Sequence, residues 1–122
     1  MKNSVMNGAY DLDEALRRVR AFDQAGADGS YVPMPPNMEA VRTICDATSK
    51  PVNVLVAGPF TRVTHDEFAK AGVARISLGS ALARATHKVI LDASKAMFES
   101  GDFSLIGGVG GDTIDSLLAK AN

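Results

Sequence analysis

Few residues of this 122-residue chain can do chemistry, and the pair Gly79-Ser80 comes closest. It falls between a short apolar run, Arg75-Ile76-Ser77-Leu78, and a long helical pattern that opens at Ser80. Free backbone N–H groups at a helix start, with the helix dipole behind them, favour an anion. Ser80 would add a hydroxyl donor and Arg84, one turn on, a positive charge. The plainer reading stands beside it: Ser80 is only the N-cap and Gly79 only a tight turn. Gly58 holds the matching place after the preceding apolar run, so Gly58, Gly79, Ser80 and Arg84 are the candidates for substrate or anion binding.

No catalytic residue and no metal ligand is expected. In parallel α/β sheets ligands bind where the strands end and the βα loops begin. Those loops are Pro33-Met34-Pro35-Pro36, Ala57-Gly58-Pro59 and Leu78-Gly79-Ser80, and none holds Asp, Glu, His, Lys, Arg or Cys. General acid–base and metal chemistry both need such groups within reach of the substrate. The stretch Gly107–Gly111 follows a helix rather than a strand and lacks the Gly-Lys-Ser/Thr ending of a phosphate loop, so it reads as a connector. His65 and His87 have no partner at ligand spacing and read as surface residues. Cys45 sits on an apolar stripe and reads as a buried, inert thiol. Asp11, Asp13 and Glu14 cluster as acidic residues do at a helix start.

The elements that must position these residues alternate between helix and strand. Asp11 with Glu14 suits a capping box ahead of the stripe Leu12, Ala15, Leu16, Val19 and Phe22, and Gly26 suits a left-handed stop. A strand over Ser30–Pro33 follows. Asn37 can cap a helix carrying Met38, Val41, Ile44 and Cys45, and Val52–Val56 is a mostly apolar strand. Thr64 and Glu67 form a second capping box, Gly72 closes that helix, and Arg75–Leu78 is the third strand. A long helix from Ser80 to about Ser100 carries Leu82, Ala85, Val89, Ala93 and Met97, and Gly101 ends it. The last helix is capped by Asp112 and carries Ile114, Leu117 and Leu118. Phe22-x-x-Ala25-Gly26 and Phe68-x-x-Ala71-Gly72 are near copies, each leading into a strand. This is the pattern of consecutive parallel βα units.

Composition narrows the class. Apolar residues at 46% and charged residues at 22% fit a globular unit, and a net charge of −1 gives nothing to hold nucleic acid or an anionic membrane. One cysteine excludes an internal disulfide framework, and no apolar run reaches the roughly 18 residues of a spanning helix. A cytoplasmic protein is expected. A closed (β/α)₈ barrel takes about 250 residues. Three βα units, or four if Ser4-Val5-Met6 is a strand, fall short of that; slightly more would build an open flavodoxin-like sheet, and a half-barrel would leave two sheet edges that invite pairing.

Several segments resemble one stretch of the phosphoenolpyruvate mutase/isocitrate lyase superfamily. They are Asp11-Leu-Asp-Glu-Ala-Leu-Arg-Arg18, Ala25-Gly-Ala-Asp28 with Tyr31-Val-Pro33, Pro51-Val-Asn-Val-Leu55 with Ala57-Gly-Pro59, and Gly72-Val-Ala-Arg-Ile-Ser-Leu-Gly-Ser80 with Leu82-Ala-Arg84-Ala85. The likeness runs in order over roughly residues 9–120. It implies a parallel (β/α) half-barrel, the C-terminal part of a TIM-type (β/α)₈ barrel, over residues 1–106, then a glycine-rich connector and helix over 107–122. Complete relatives are Mg²⁺-dependent enzymes that make or break C–C or P–C bonds of small oxo acids through an enolate. Their metal-binding carboxylates and catalytic-cysteine loop lie in the first half of the barrel, so no Mg²⁺ is expected on this chain and it should be inactive alone. Met34 stands where some lyases of the family place a glutamate, Leu55 where they place an asparagine, and Met1–Tyr10 lacks the arginine-containing strand end expected there. A small carboxylate or phosphonate substrate is expected only with a complete barrel. A homo-oligomer is expected too, because the open sheet needs cover and relatives exchange their last helix between subunits. The alternative is a non-enzymatic, oligomerising α/β binding or scaffold module. A receiver- or flavodoxin-like domain would need acidic residues or a phosphate loop near residue 6, and none is there.

Overall fold

The computed structural model describes residues 10–119 of the chain. The possible strand at Ser4–Met6 and the strand end before Tyr10 lie outside the described residues. The chain divides into two compact units, Met1–Ala81 and Leu82–Asn122.

The first unit is built around a three-stranded parallel sheet in the order β1 (Ser30–Tyr31), β2 (Val52–Leu55), β3 (Arg75–Ser77). Ser30 pairs with Val52, and Asn53, Val54 and Leu55 pair with Arg75, Ile76 and Ser77. Each strand is shorter than its apolar run, but the ladder continues past the ends: Ser30 N donates to Pro51 O at 2.9 Å, Ala74 N to Val52 O at 3.0 Å and Val56 N to Ser77 O at 2.8 Å. Three helices alternate with the strands: α1 (Leu12–Gln24), α2 (Met38–Asp46) and α3 (His65–Lys70), the last preceded by a 3-10 turn over Gly58–Arg62.

Local chemistry sets the helix limits. Asp11 accepts from Glu14 N at 2.9 Å, Asn37 from Ala40 N at 2.9 Å, and Thr64 forms the full reciprocal box with Glu67. At α1 the return half of the expected box is missing. The Glu14 carboxylate turns instead to Arg17 (2.7 and 2.8 Å) and Arg18 (2.6 Å), where three charge-assisted bonds replace one to a backbone N–H. Gly26 and Gly72, at φ +88° and +85°, supply the left-handed stops. Asp23 Oδ2 accepts from Thr48 Oγ1 at 2.8 Å, tying the end of α1 to the loop after α2.

Successive strand side chains point to opposite faces. Val52 and Val54 therefore lie together on one face, against Val19 of α1, Val41 and Ile44 of α2, and Phe68 of α3. Phe60 of the 3-10 turn tilts against Phe68 with ring centroids 6.0 Å apart. Full burial contributes roughly 1.5–3 kcal/mol for each such side chain, so this layer holds the unit together. Phe22 departs from the expected stripe: it is 61% exposed, where its counterpart Phe68 is 1% exposed. At about 100° per residue, Phe22 sits some 70° off the centre of the α1 stripe, and no described aromatic pairs with it.

The second unit holds α4 (Ala81–Ser100) and α5 (Gly111–Ala119). Gly101, at φ +63°, ends α4, with Gly101 N donating to Met97 O and Asp102 N to Ala96 O, both at 3.1 Å. α5 opens at Gly111, so Asp112 lies in its first turn rather than at the cap. The apolar stripe expected of α4 is not a core stripe: Ala93 and Met97 are half-buried, while Leu82, Ala85 and Val89 are exposed. Ile114, Leu117 and Leu118 of α5 are exposed as well.

Candidate functional site

The register sets two of the strand-end loops side by side. Leu55 pairs with Ser77, so Gly58, three residues beyond Leu55, and Gly79, two beyond Ser77, leave the same end of neighbouring strands. Both glycines take positive φ, +56° and +54°. At Gly79 a side chain is excluded twice over, because a Cβ would also lie 3.0 Å from Leu55 Cδ1. Gly58 opens the 3-10 turn, where its carbonyl accepts from Thr61 Oγ1 at 2.9 Å. Ala81 N closes a turn onto Leu78 O at 3.0 Å, with Ser80 exposed between them. Of the four candidates, Gly58, Gly79 and Ser80 belong to the first unit, and Arg84 is an exposed residue of α4 in the second.

The third strand-end loop carries the one non-glycine residue at positive φ among the described residues. Met34, at φ +55°, is exposed between Pro33 and the buried Pro35. These loops thus present small, apolar and backbone groups, and no ionisable side chain, at one end of the sheet.

A polar cluster the sequence reading missed occupies the sheet face opposite the core. Asn53, 8% exposed in the middle of β2, accepts at Oδ1 from Ser77 Oγ at 2.7 Å and from Arg75 Nε at 3.0 Å. Two donors on one acceptor leave that buried oxygen fully used. The signal was present as period-2 alternation: Val52-Asn53-Val54 and Arg75-Ile76-Ser77 both switch between apolar and polar. Reading β2 as mostly apolar hid it. Beside this cluster, a cavity of about 470 Å³ opens at the amino-terminal ends of the strands, lined by Asp28, Ser30, Tyr31, Asn53 and Arg75 among others. It lies at the other end of the strands from Gly58 and Gly79.

The remaining titratable candidates do not converge. His65 is exposed, its Nδ1 3.4 Å from Asp66 Oδ1, and His87 is exposed on α4. Cys45 is half-buried. Burial first, and the Asp46 charge second, push its thiol up, away from a nucleophilic thiolate. Among the described residues no three His, Cys, Asp or Glu side chains group as metal donors, and no helix is long and apolar enough to cross a membrane.

Comparison with known proteins gives these units a context. The family model for phosphoenolpyruvate phosphomutase matches residues 3–98. A solved Burkholderia cenocepacia J2315 protein, provisionally described as a lyase/mutase, is 34% identical and superposes with a TM-score of 0.83 over 93% of this chain and 41% of its own. A second from the same organism, provisionally described as a phosphonomutase, is 34% identical with a TM-score of 0.63 over 74% of this chain and 39% of its own. A 2,3-dimethylmalate lyase of the phosphoenolpyruvate mutase/isocitrate lyase superfamily shares the fold at 17% identity, with a TM-score of 0.70 over 98% of this chain and 46% of its own. The petal death protein of Dianthus caryophyllus is 26% identical over 94 residues, which are 75% of this chain and 30% of that protein. The chain spans less than half the length of each of these relatives. Its parallel βα units are part of that superfamily's barrel, and the chain belongs to the phosphoenolpyruvate phosphomutase family.

Proposed function

We propose that this chain forms the C-terminal staves of a barrel that cleaves or forms C–C or P–C bonds in a small oxo acid, and that it supplies one wall of the pocket. The observation that carries this reading is the pairing of the Gly58 and Gly79 loops at one end of β2 and β3, both at positive φ and both free of ionisable groups. Such a wall binds and orients: the backbone N–H groups of Gly79 and Ser80 would face the carboxylate or phosphate end of a substrate, the Ala81 N–H being taken by Leu78 O, and Leu55 beside Gly79 keeps the floor apolar.

Complete relatives use Mg²⁺ to stabilise an enolate. The described residues do not fit that ion, since no group of three donors exists among them and the strand-end loops carry no carboxylate. No step of the reaction is therefore assigned to this chain's residues, and turnover requires carboxylates from a further polypeptide segment. An amide-resolved NMR titration with inorganic phosphate and malonate tests the wall. Shifts concentrated at Gly58 and Gly79–Ala81 are expected. Shifts elsewhere, with those amides still, would overturn the assignment. Metal-dependent turnover of oxaloacetate or phosphonopyruvate by this chain alone, abolished by EDTA, would overturn the need for added carboxylates.

A second reading, a non-enzymatic α/β module that oligomerises, rests on the exposed Leu82, Val89, Ile90, Leu91 and Phe98 of α4. It predicts association without any response of the Gly79–Ala81 amides to anions.

A further inference from the structure

We propose that the pocket wall selects an oxo acid whose substituent on this side is an uncharged alkyl chain, and that Leu55 and Met34 are the residues that read it. The proposal deepens the pocket-wall reading above and rests on it.

The sheet face opposite the core is layered. Tyr31, Asn53 and Arg75 share one level across the register, at the amino-terminal ends of the strands. Two residues further on, Leu55 and Ser77 pair at the next level, where Pro33 follows β1. Val32 and Val54, between the two levels, belong to the core. The second level borders the glycine turns, since a Cβ at Gly79 would lie 3.0 Å from Leu55 Cδ1.

That level offers a substrate no charge and no free proton donor. The Ser77 hydroxyl donates to Asn53 Oδ1 at 2.7 Å. Arg75, the cation on this face, stands four residues before Gly79, which is about 13 Å along an extended strand. Its Nε is held at its own level by Asn53, at 3.0 Å. A carboxylate laid against Leu55 would lose water and gain no partner, whereas a methyl or methylene group is favoured by the same loss of water.

Met34 extends this surface from the neighbouring strand end. Its φ of +55° is rare for a bulky side chain, and the following Pro35 disfavours it further. Backbone strain of this kind collects at ligand sites. Pro35 is buried and anchors the loop, while Met34 stays 53% exposed instead of joining the core. An unbranched thioether adapts its shape to an alkyl chain without imposing one geometry.

A matched pair of acids tests this in the full chain by amide- and methyl-resolved NMR titration: 2-oxopentanoate and 2-oxoglutarate, which share a carbon skeleton and differ in a methyl or carboxylate end. Both are expected to shift the Gly79 and Ser80 amides. The monoacid is expected to bind about fivefold tighter or more and to shift the methyl signals of Met34 and Leu55. From pyruvate through 2-oxobutanoate to 2-oxopentanoate, affinity is expected to rise about two- to fourfold per methylene. Met34→Lys is expected to keep the phosphate response and to bring 2-oxoglutarate level with the monoacid or ahead of it. Met34→Gly, which suits the positive φ, is expected to reduce the monoacid preference severalfold. Equal affinities for the pair in the wild type, tighter 2-oxoglutarate binding, or a ratio indifferent to both Met34 variants would each overturn the proposal. Those results, with the phosphate response of Gly79 and Ser80 intact, would leave the pocket-wall reading standing. Amides at Gly79 and Ser80 still under every acid and phosphate would overturn that reading, and this proposal with it.

Discussion

Asn53 Oδ1 sits 2.7 Å from Ser77 Oγ and 3.0 Å from Arg75 Nε, so one buried acceptor on β2 collects two donors from β3. The bonds run across the parallel pair, at the register Asn53–Arg75 and one pleat further on. They fasten the polar side of a sheet whose other side is held by Val52 and Val54.

Removing that acceptor should be costly out of proportion to its size. Asn53→Ala leaves the half-buried Ser77 hydroxyl without its partner and frees Arg75, and a stranded buried polar group costs about 1–3 kcal/mol. Urea denaturation is expected to show a lower midpoint at an unchanged slope. Ser77→Ala, which removes the donor and leaves Asn53 its bond to Arg75, is expected to cost less. Equal costs would mean the network is not centred on Asn53.

Two glycines in the same repeat should respond differently to the same substitution. Gly26 and Gly72 share a positive φ, but a Cβ at Gly26 meets nothing within 4 Å, while at Gly72 it lies 3.2 Å from Cys45 Cβ. Gly26→Ala carries the conformational cost alone, about 1–2 kcal/mol. Gly72→Ala adds a clash against α2 and is expected to lower the melting temperature further. Equal melting temperatures for the two variants would show that α2 moves aside freely.

How much of this was legible in the sequence depends on which interactions are local. The caps at Asp11, Asn37 and Thr64, the stops at Gly26, Gly72 and Gly101, and the βα order all follow from short-range chemistry, and the structure has them where the residues indicated. Half of the difference between Phe22 and Phe68 was legible, since helix phase already sets Phe22 off its stripe; the other half, the tilt of Phe60 against Phe68, depends on how the intervening 3-10 turn folds back, which the shared Phe-x-x-Ala-Gly motif does not reveal. For the same reason the Asn53 cluster needed a register between strands more than 20 residues apart, which no single strand reveals. At the candidate site, the glycine turns were legible and the separation of Arg84 into the second unit was not. Phe68→Ala is expected to cost about 3–5 kcal/mol and Phe22→Ala about half a kcal/mol or less, by urea denaturation.

Acid should expose the role of Glu14. Its hydrogen bonds to Arg17 and then Arg18 bring its carboxyl down to about 2, from an ordinary 4.5. A group whose pKa is depressed on folding stabilises the fold above its unfolded value and loses that contribution as pH falls through the folded one. The window is therefore pH 4.5 to about 2. Glu67, lowered by the Thr64 backbone and hydroxyl, and Asp102, lowered by Ser104, act in the same direction. Glu14→Gln is expected to flatten the fall in melting temperature across that window, by a small amount because the site is exposed to solvent. An unchanged acid profile would show that the arginine pair does not persist in solution.

The thiol of Cys45 gives a probe that needs no substitution. It packs at the edge of the core layer, next to Gly72, and burial followed by the Asp46 charge pushes its ionisation upward. The thiolate is the reacting species, so both its low population and its limited access slow attack on a disulfide reagent. At about pH 8, where an unperturbed thiol is already partly ionised, reaction is expected to be roughly tenfold or more slower in the native chain than in urea. The contact between Cys45 of α2 and the turn at Gly72, just past the end of α3, is the one strained by Gly72→Ala. That variant is expected to speed labelling under native conditions, whereas Gly26→Ala, remote from the thiol, is expected to do so only as far as it raises global unfolding. Native labelling as fast as in urea would mean that the core layer around Ile44 and Phe68 opens on the timescale of the reaction.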